Sequence, residues 1–229
     1  MKKQILLIIG LVILLGCNQK AANEETHQPE SPIDYSEIKN LLDSIHIEDQ
    51  KHRVEGESIQ EKYGLESDEL RNHWMKIRKI DSSNLIAVEK ILNTYGWLSS
   101  EQIGSKANST LFLVIQHSNL ETQEKYLPMM RQAVKEGKAR SQSLALLEDR
   151  ICIGKGELQV YGSQIGTDRE TGDMYVLPLV EPEKVNERRA EVGLGPIEDY
   201  ISHWGLEWNV DEYKRELPKW IDILEEGRR

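Results

Sequence analysis

The run from Ala139 to Gly166, ARSQSLALLEDRICIGKGELQVYGSQIG, decides the fold, because the hydrophobic period changes inside it. Up to Ile153 the apolar residues recur at helical spacing: Leu144, Leu147 and Ile151 form one stripe, Leu146 and Ile153 a second. After Gly156 the period falls to two, with Leu158, Val160 and Gly162 alternating with Gln159, Tyr161 and Ser163. A polar segment from Gly166 to Asp173 follows, and Met174 to Leu177 supplies a second strand. Residues 157–179 therefore read as a β-hairpin with a long, charged and solvated loop.

Outward from this hairpin, helices dominate. Gly137 separates the 139–153 helix from another over Leu120–Glu136 and suits a left-handed C-cap. Leu111–Ile115 is apolar on every side and reads as a buried helix or a buried strand. Ile38, Leu41, Leu42 and Ile45 follow the i, i+3, i+4, i+7 rule. Leu70, Trp74 and Ile77 repeat the pattern behind Ser67 as a cap, and Leu85, Val88 and Leu92 make a further helix ending near Gly96. Pro182 opens a helix over 183–192 and Pro196 another reaching Trp204. The tail 211–224 is amphipathic, with Pro218 expected to bend or break it. The expected fold is mainly α with a small β-hairpin (α+β), a single domain over 34–229.

The first residues read differently. Lys2 and Lys3, an apolar run from Ile5 to Leu15 and a small residue form a bacterial secretion signal over 1–16. The run is shorter than the ~20 residues a spanning helix needs. Leu14-Leu15-Gly16-Cys17 resembles the lipobox of bacterial lipoproteins. That resemblance implies removal of the signal, diacylation of Cys17 and attachment to a membrane surface. Residues 17–33 are polar and proline-bearing, a disordered tether with a reach of roughly 20–24 Å. Asn18 is not the aspartate that resembles an inner-membrane retention signal, so an outer-membrane address is expected in a cell with two membranes.

The net charge of −10 becomes more negative once Lys2 and Lys3 leave. An acidic body argues against nucleic-acid partners, which need a basic footprint, and against electrostatic adhesion to anionic lipid. With Cys17 acylated, Cys152 has no disulfide partner, and its place between Ile151 and Ile153 marks it as a buried structural thiol.

Gln116-His117, Gln123, Asp149-Arg150, Gln159-x-Tyr161-Gly162-Ser163-Gln164 and Arg188-Arg189-x-x-x-Gly193-Leu194 occur in that order. The series resembles an uncharacterised bacterial family, one of the domains of unknown function, over about residues 80–200. Relatives often carry threonine at the position of Ser163 and proline at that of Leu98. The resemblance implies no activity.

The candidate catalytic or ligand-binding residues are His117, Asp149, Arg150, Gln159, Tyr161, Gln164, Arg188 and Arg189. His117 shares a helical face with Leu113 and Val114, as either a satisfied core histidine or a functional one. Asp149 and Arg150 flank an apolar stripe, so both charges are expected half-buried and paired, as a structural salt bridge or as part of a site. Arg188 and Arg189 diverge by ~100° on their helix. One is expected to meet Asp149 or the hairpin, leaving the other free for a carboxylate or phosphate. A bulge at Gly162 would bring Gln164 beside Gln159, Tyr161 and Ser163, to face a ligand or satisfy buried backbone.

No HExxH, CxxC, Gly-rich phosphate loop or GxSxG elbow occurs, so neither metal nor cofactor is expected. Two functions follow. One is a binding or interaction module at the cell envelope, with a protein or small-molecule ligand that the residues do not name. The other is an envelope hydrolase or transferase acting on a polar or anionic substrate, with His117 as general acid or base and Asp149 orienting it.

Overall fold

A computed structural model describes residues 33–168 and 171–226. The expected signal, Cys17 and all of the tether but Ile33 lie outside the described residues. Helix α1 (Ser36–Tyr63) and helix α2 (Asp68–Tyr95) form an antiparallel pair, and Ser67 caps α2 by accepting the Leu70 N–H at 3.3 Å. Sequence spacing suggested two helices where α2 is one. No glycine or proline interrupts 78–84, and the hydroxyls of Ser82 and Ser83 bond back to the Arg78 and Lys79 carbonyls at 2.8 and 3.1 Å. The stripe that α2 buries runs through Leu70, His73, Ile77 and Val88, which leaves Trp74 turned outward and exposed.

Helix α3 (Ser100–Gln116), helix α4 (Leu120–Lys135) and helix α5 (Ser141–Lys155) complete the main bundle. The 111–115 run is helical. Gly137, at φ 71°, lies just beyond the end of α4 as its spacing implied. Leu42, Val88, Leu92, Ile103, Leu111, Ile115, Met130 and Leu147 form the centre of the core. Among the described residues, no helix is long and apolar enough to cross a membrane.

The hairpin is smaller than expected: β1 (Ile165–Thr167) pairs antiparallel with β2 (Met174–Val176), Gly166 opposite Tyr175. Residues 158–163 are not a strand, because the Asp149 carboxylate takes the N–H groups of Val160, Tyr161 and Ser163. Gly162 sits at φ 69° in a left-handed turn. The loop after β1 is not simply solvated either. Asp168 is buried, its N–H donates to the Asp173 carbonyl at 2.8 Å, and Lys219 Nζ reaches its carboxylate at 3.0 Å.

A 3-10 turn (Pro182–Lys184) leads into α6 (Val185–Glu191), then α7 (Ile197–Ile201) and α8 (Val210–Glu226). Val176, Leu179, Val185, Ile197, Ile201 and Tyr213 form a second core cluster over this half. Pro218 does not end α8, nor Pro128 α4. Both are exposed, where a freed carbonyl can turn to water. Cys152 is half-buried, and burial raises its thiol pKa.

Candidate functional site

Of the two fates open to the candidate polar residues, a ligand or buried backbone, most of them take the backbone. Asp149, on α5, is fully buried. Its Oδ1 accepts the N–H of Val160 at 2.7 Å and of Tyr161 at 2.9 Å, while Oδ2 accepts that of Ser163 at 2.9 Å. Burial pushes its pKa upward, against the pull of those three donors. It forms no ion pair with either arginine. Arg189 Nε donates to the Gly195 carbonyl at 2.6 Å and Nη1 to that of Tyr161 at 2.7 Å. The Tyr200 ring stacks 5.0 Å from its guanidinium, and the Tyr200 hydroxyl donates to the Ser163 carbonyl at 2.8 Å. Arg188 donates to the Val160 carbonyl at 2.8 Å and to that of Val180. Neither arginine is left over.

The two glutamines are spent likewise. Gln159 is fully buried, donates to the Gln164 and Leu177 carbonyls at 3.0 and 2.8 Å, and accepts the Gln164 N–H at 2.8 Å. Gln164 Nε2 donates to Ser163 Oγ at 3.0 Å. Tyr161 contributes its backbone to this lattice, and its ring is half-buried. These contacts knit the 158–164 loop to α5, α6 and the segment just after β2. Left-handed Gly162 is needed there, since a Cβ would come 2.7 Å from Ile197 Cδ1.

His117 belongs to a different constellation. It is the C-cap of α3, and the turn into α4 is fixed by Gln123, whose Nε2 donates to the Gln116 and Ser118 carbonyls at 3.1 and 2.8 Å. His117 Nδ1 lies 3.1 Å from Oδ1 of Asp49, on α1, rather than near Asp149. Burial alone would raise the Asp49 pKa, but hydrogen bonds from His117 and Arg53 outweigh it and hold the carboxyl well below the usual range. Against an ionised carboxylate Nδ1 carries a proton, so that in the neutral ring Nε2 is the acceptor. Nε2 has no partner among the described residues, and the side chain is 16% exposed.

Arg53 Nη2 bridges Asp49 and Asp81, 3.0 Å from an oxygen of each. Ligand atoms of Asp49, Asp81 and His117 lie within 4.8 Å of one another, a spacing that a divalent ion could use. The Arg53 guanidinium stands between the two carboxylates and already offsets part of their charge, so a metal would require it to swing away.

Arg150 follows Leu146 by one turn of α5, and the Leu146 carbonyl faces Gln116 Nε2 at 3.5 Å, next to His117. Arg150 is exposed, and neither hydrogen bond nor ion pair holds it among the described residues. Desolvation along its length and the like charge of Arg53 lower its pKa. His117, Arg150 and the Tyr161 hydroxyl are thus the expected groups with polar capacity to spare among the described residues. Sequence reading missed Asp49, Arg53 and Asp81. The signal was present: Asp49 and His52 continue the Leu42 and Ile45 stripe of α1, and Asp81 continues that of Leu70 and Ile77.

No curated protein and no solved structure matches this chain. A family profile does match, over residues 62–209, and the chain belongs to that family of unknown function, DUF6624.

Proposed function

We propose that this protein is a membrane-anchored lipoprotein of the bacterial envelope whose helical domain is a binding module for an anionic or polar ligand. The anchoring half rests on the lipobox-like Leu14–Cys17 and is tested by the mass of the mature chain. An acyl-bearing Cys17 supports it, and an unmodified cysteine or another start refutes it.

The binding half is carried by one observation, the division of the polar side chains. Asp149, Gln159, Arg188 and Arg189 are spent on backbone groups and Gln164 Nε2 on the Ser163 hydroxyl, whereas Arg150, His117 Nε2 and the Tyr161 hydroxyl have no partner among the described residues. An unpaired guanidinium and an imidazole nitrogen are each suited to a carboxylate or phosphate group. Inorganic phosphate and succinate are suitable probes. Saturable shifts of the His117 ring and Arg150 side-chain resonances, lost in Arg150→Gln, support the reading. Flat titrations, together with nothing retained on purification from detergent-solubilised membranes, refute it.

The Asp49–His117 pair favours a second reading, an envelope hydrolase or transferase. Asp49 fixes the tautomer and orientation of the ring, Nε2 takes or gives the proton, and Arg150 holds charge on the substrate. Asp149, expected in the orienting role, is engaged elsewhere. Turnover of p-nitrophenyl phosphate or acetate that disappears in His117→Ala would support this reading over simple binding.

A further inference from the structure

We infer that the outer face of α2 is a second membrane contact, a basic strip bearing Trp74 and Met75 that lies on anionic phospholipid headgroups. The chain is acidic overall, yet between Leu70 and Val88 its sole acidic residue is Asp81, and Arg53 already pairs with that carboxylate. The same stretch carries Arg71, Lys76, Arg78 and Lys79, all exposed. Asp68 pairs with Arg71 at 2.6 Å. Lys76, Arg78 and Lys79 form no ion pair among the described residues, and Glu55, on α1, is the acid that feels Lys76. Large apolar side chains stand among these cations: Trp74 is 36% exposed, Met75 47% and Ile86 71%.

At ~100° per residue, Met75, Lys79, Ser82 and Ile86 fall in one row along the helix, with Arg71, Trp74 and Arg78 beside it. Two shallow clefts of about 630 and 430 Å³ run between these side chains. A convex helix face with wide, shallow clefts offers no deep socket for a folded partner. It does combine the residues that an interfacial helix uses, a tryptophan at headgroup depth and long basic side chains reaching phosphates over apolar stems. Overall charge argued against electrostatic adhesion, but the cations are segregated on one face and a lipid surface would meet them locally. The inference takes proximity to a bilayer from the anchored reading above, while the contact itself needs no acyl chain.

The test uses the full chain with Cys17→Ser, so that no acyl group contributes, in co-sedimentation with vesicles of phosphatidylcholine alone or mixed with phosphatidylglycerol. Lys2, Lys3 and the apolar run are common to every sample. Phosphatidylglycerol is expected to strengthen binding by about tenfold at low salt, since each cation near such a surface contributes and screening weakens it. Lys76→Gln, Arg78→Gln and Lys79→Gln combined should remove most of that gain and leave binding to phosphatidylcholine unchanged. Trp74→Ala with Met75→Ala should weaken binding to the mixed vesicles. All five positions are exposed, and unchanged circular dichroism verifies folding. Equal binding to both vesicle types, or a triple variant that keeps the full gain, overturns the inference. So does a strip whose substitution releases a copurifying protein without altering vesicle binding. Because Cys17 is absent, these outcomes are independent of the mass measurement that tests the anchor.

Discussion

Replacing Asp149, on α5, should cost more than any single change within the 158–164 loop that it holds. The carboxylate is fully buried and accepts three backbone N–H groups, from Val160, Tyr161 and Ser163. Asp149→Asn keeps the shape and one acceptor, but turns an NH2 group toward the Ser163 or Val160 N–H and discharges the rest. Bonds to a charged group are worth ~1.5–3 kcal/mol each, so losing one or weakening two gives a penalty of about 2–4 kcal/mol. Asp149→Ala leaves three donors without their acceptor, one buried and two half-buried, about 3–6 kcal/mol at ~1–3 kcal/mol apiece after some entry of water. Against a typical stability of ~5–15 kcal/mol, the alanine variant approaches unfolding at ambient temperature. Urea denaturation followed by far-UV circular dichroism measures both. With a slope of ~2 kcal/mol per molar, the asparagine variant should lose about 1–2 M in midpoint. Amide exchange at Val160, Tyr161 and Ser163 should accelerate together. Two variants each within ~0.5 kcal/mol of wild type, with those amides still protected, would refute the assignment of this carboxylate as the loop's organiser.

Other outcomes follow from the same geometry. Gly162→Ala forces a Cβ to within 2.7 Å of Ile197 Cδ1 at a φ of 69°, and should destabilise by ~1–3 kcal/mol. Ile197→Val should recover part of the loss in a double-mutant cycle. Arg189→Lys cannot serve both the Gly195 and Tyr161 carbonyls, and a loss of ~2–3 kcal/mol in thermal or urea melts is expected. The depressed Asp49 pKa contributes stability that is fully present above the unfolded value of ~3.9 and fades as pH falls through the folded value. Acid titration of folding should therefore flatten below that pH in Asp49→Asn, and an unchanged acid limb would contradict the pairing with His117 and Arg53. Cys152, half-buried and with a raised pKa, should react with Ellman's reagent far more slowly than a free thiol at neutral pH, and full-rate labelling of the folded chain would exclude that environment.

Hydrophobic period alone determined that the chain is mostly helical with one hairpin, because a stripe at i, i+3, i+4 can be buried by one kind of backbone only. It located α4 and α5 but left 111–115, within α3, open between helix and strand; residue type supplied the cap at Ser67 and the left-handed turn at Gly137. The period misplaced the first strand, because alternation at 158–163 is equally the signature of a loop whose N–H groups are claimed by a remote carboxylate. Asp149 is eleven residues from Val160 in sequence and 2.7 Å from its N–H in space. No local pattern encodes that bond. The same limit applies to the site. The type and neighbours of His117 marked it for attention, but its partner lies 68 positions away on α1, and the Arg53 bridge between α1 and α2 joins residues 28 apart. Which charges are spent on the fold and which remain for a ligand depends on desolvation and donor direction, and these exist only once the helices have packed.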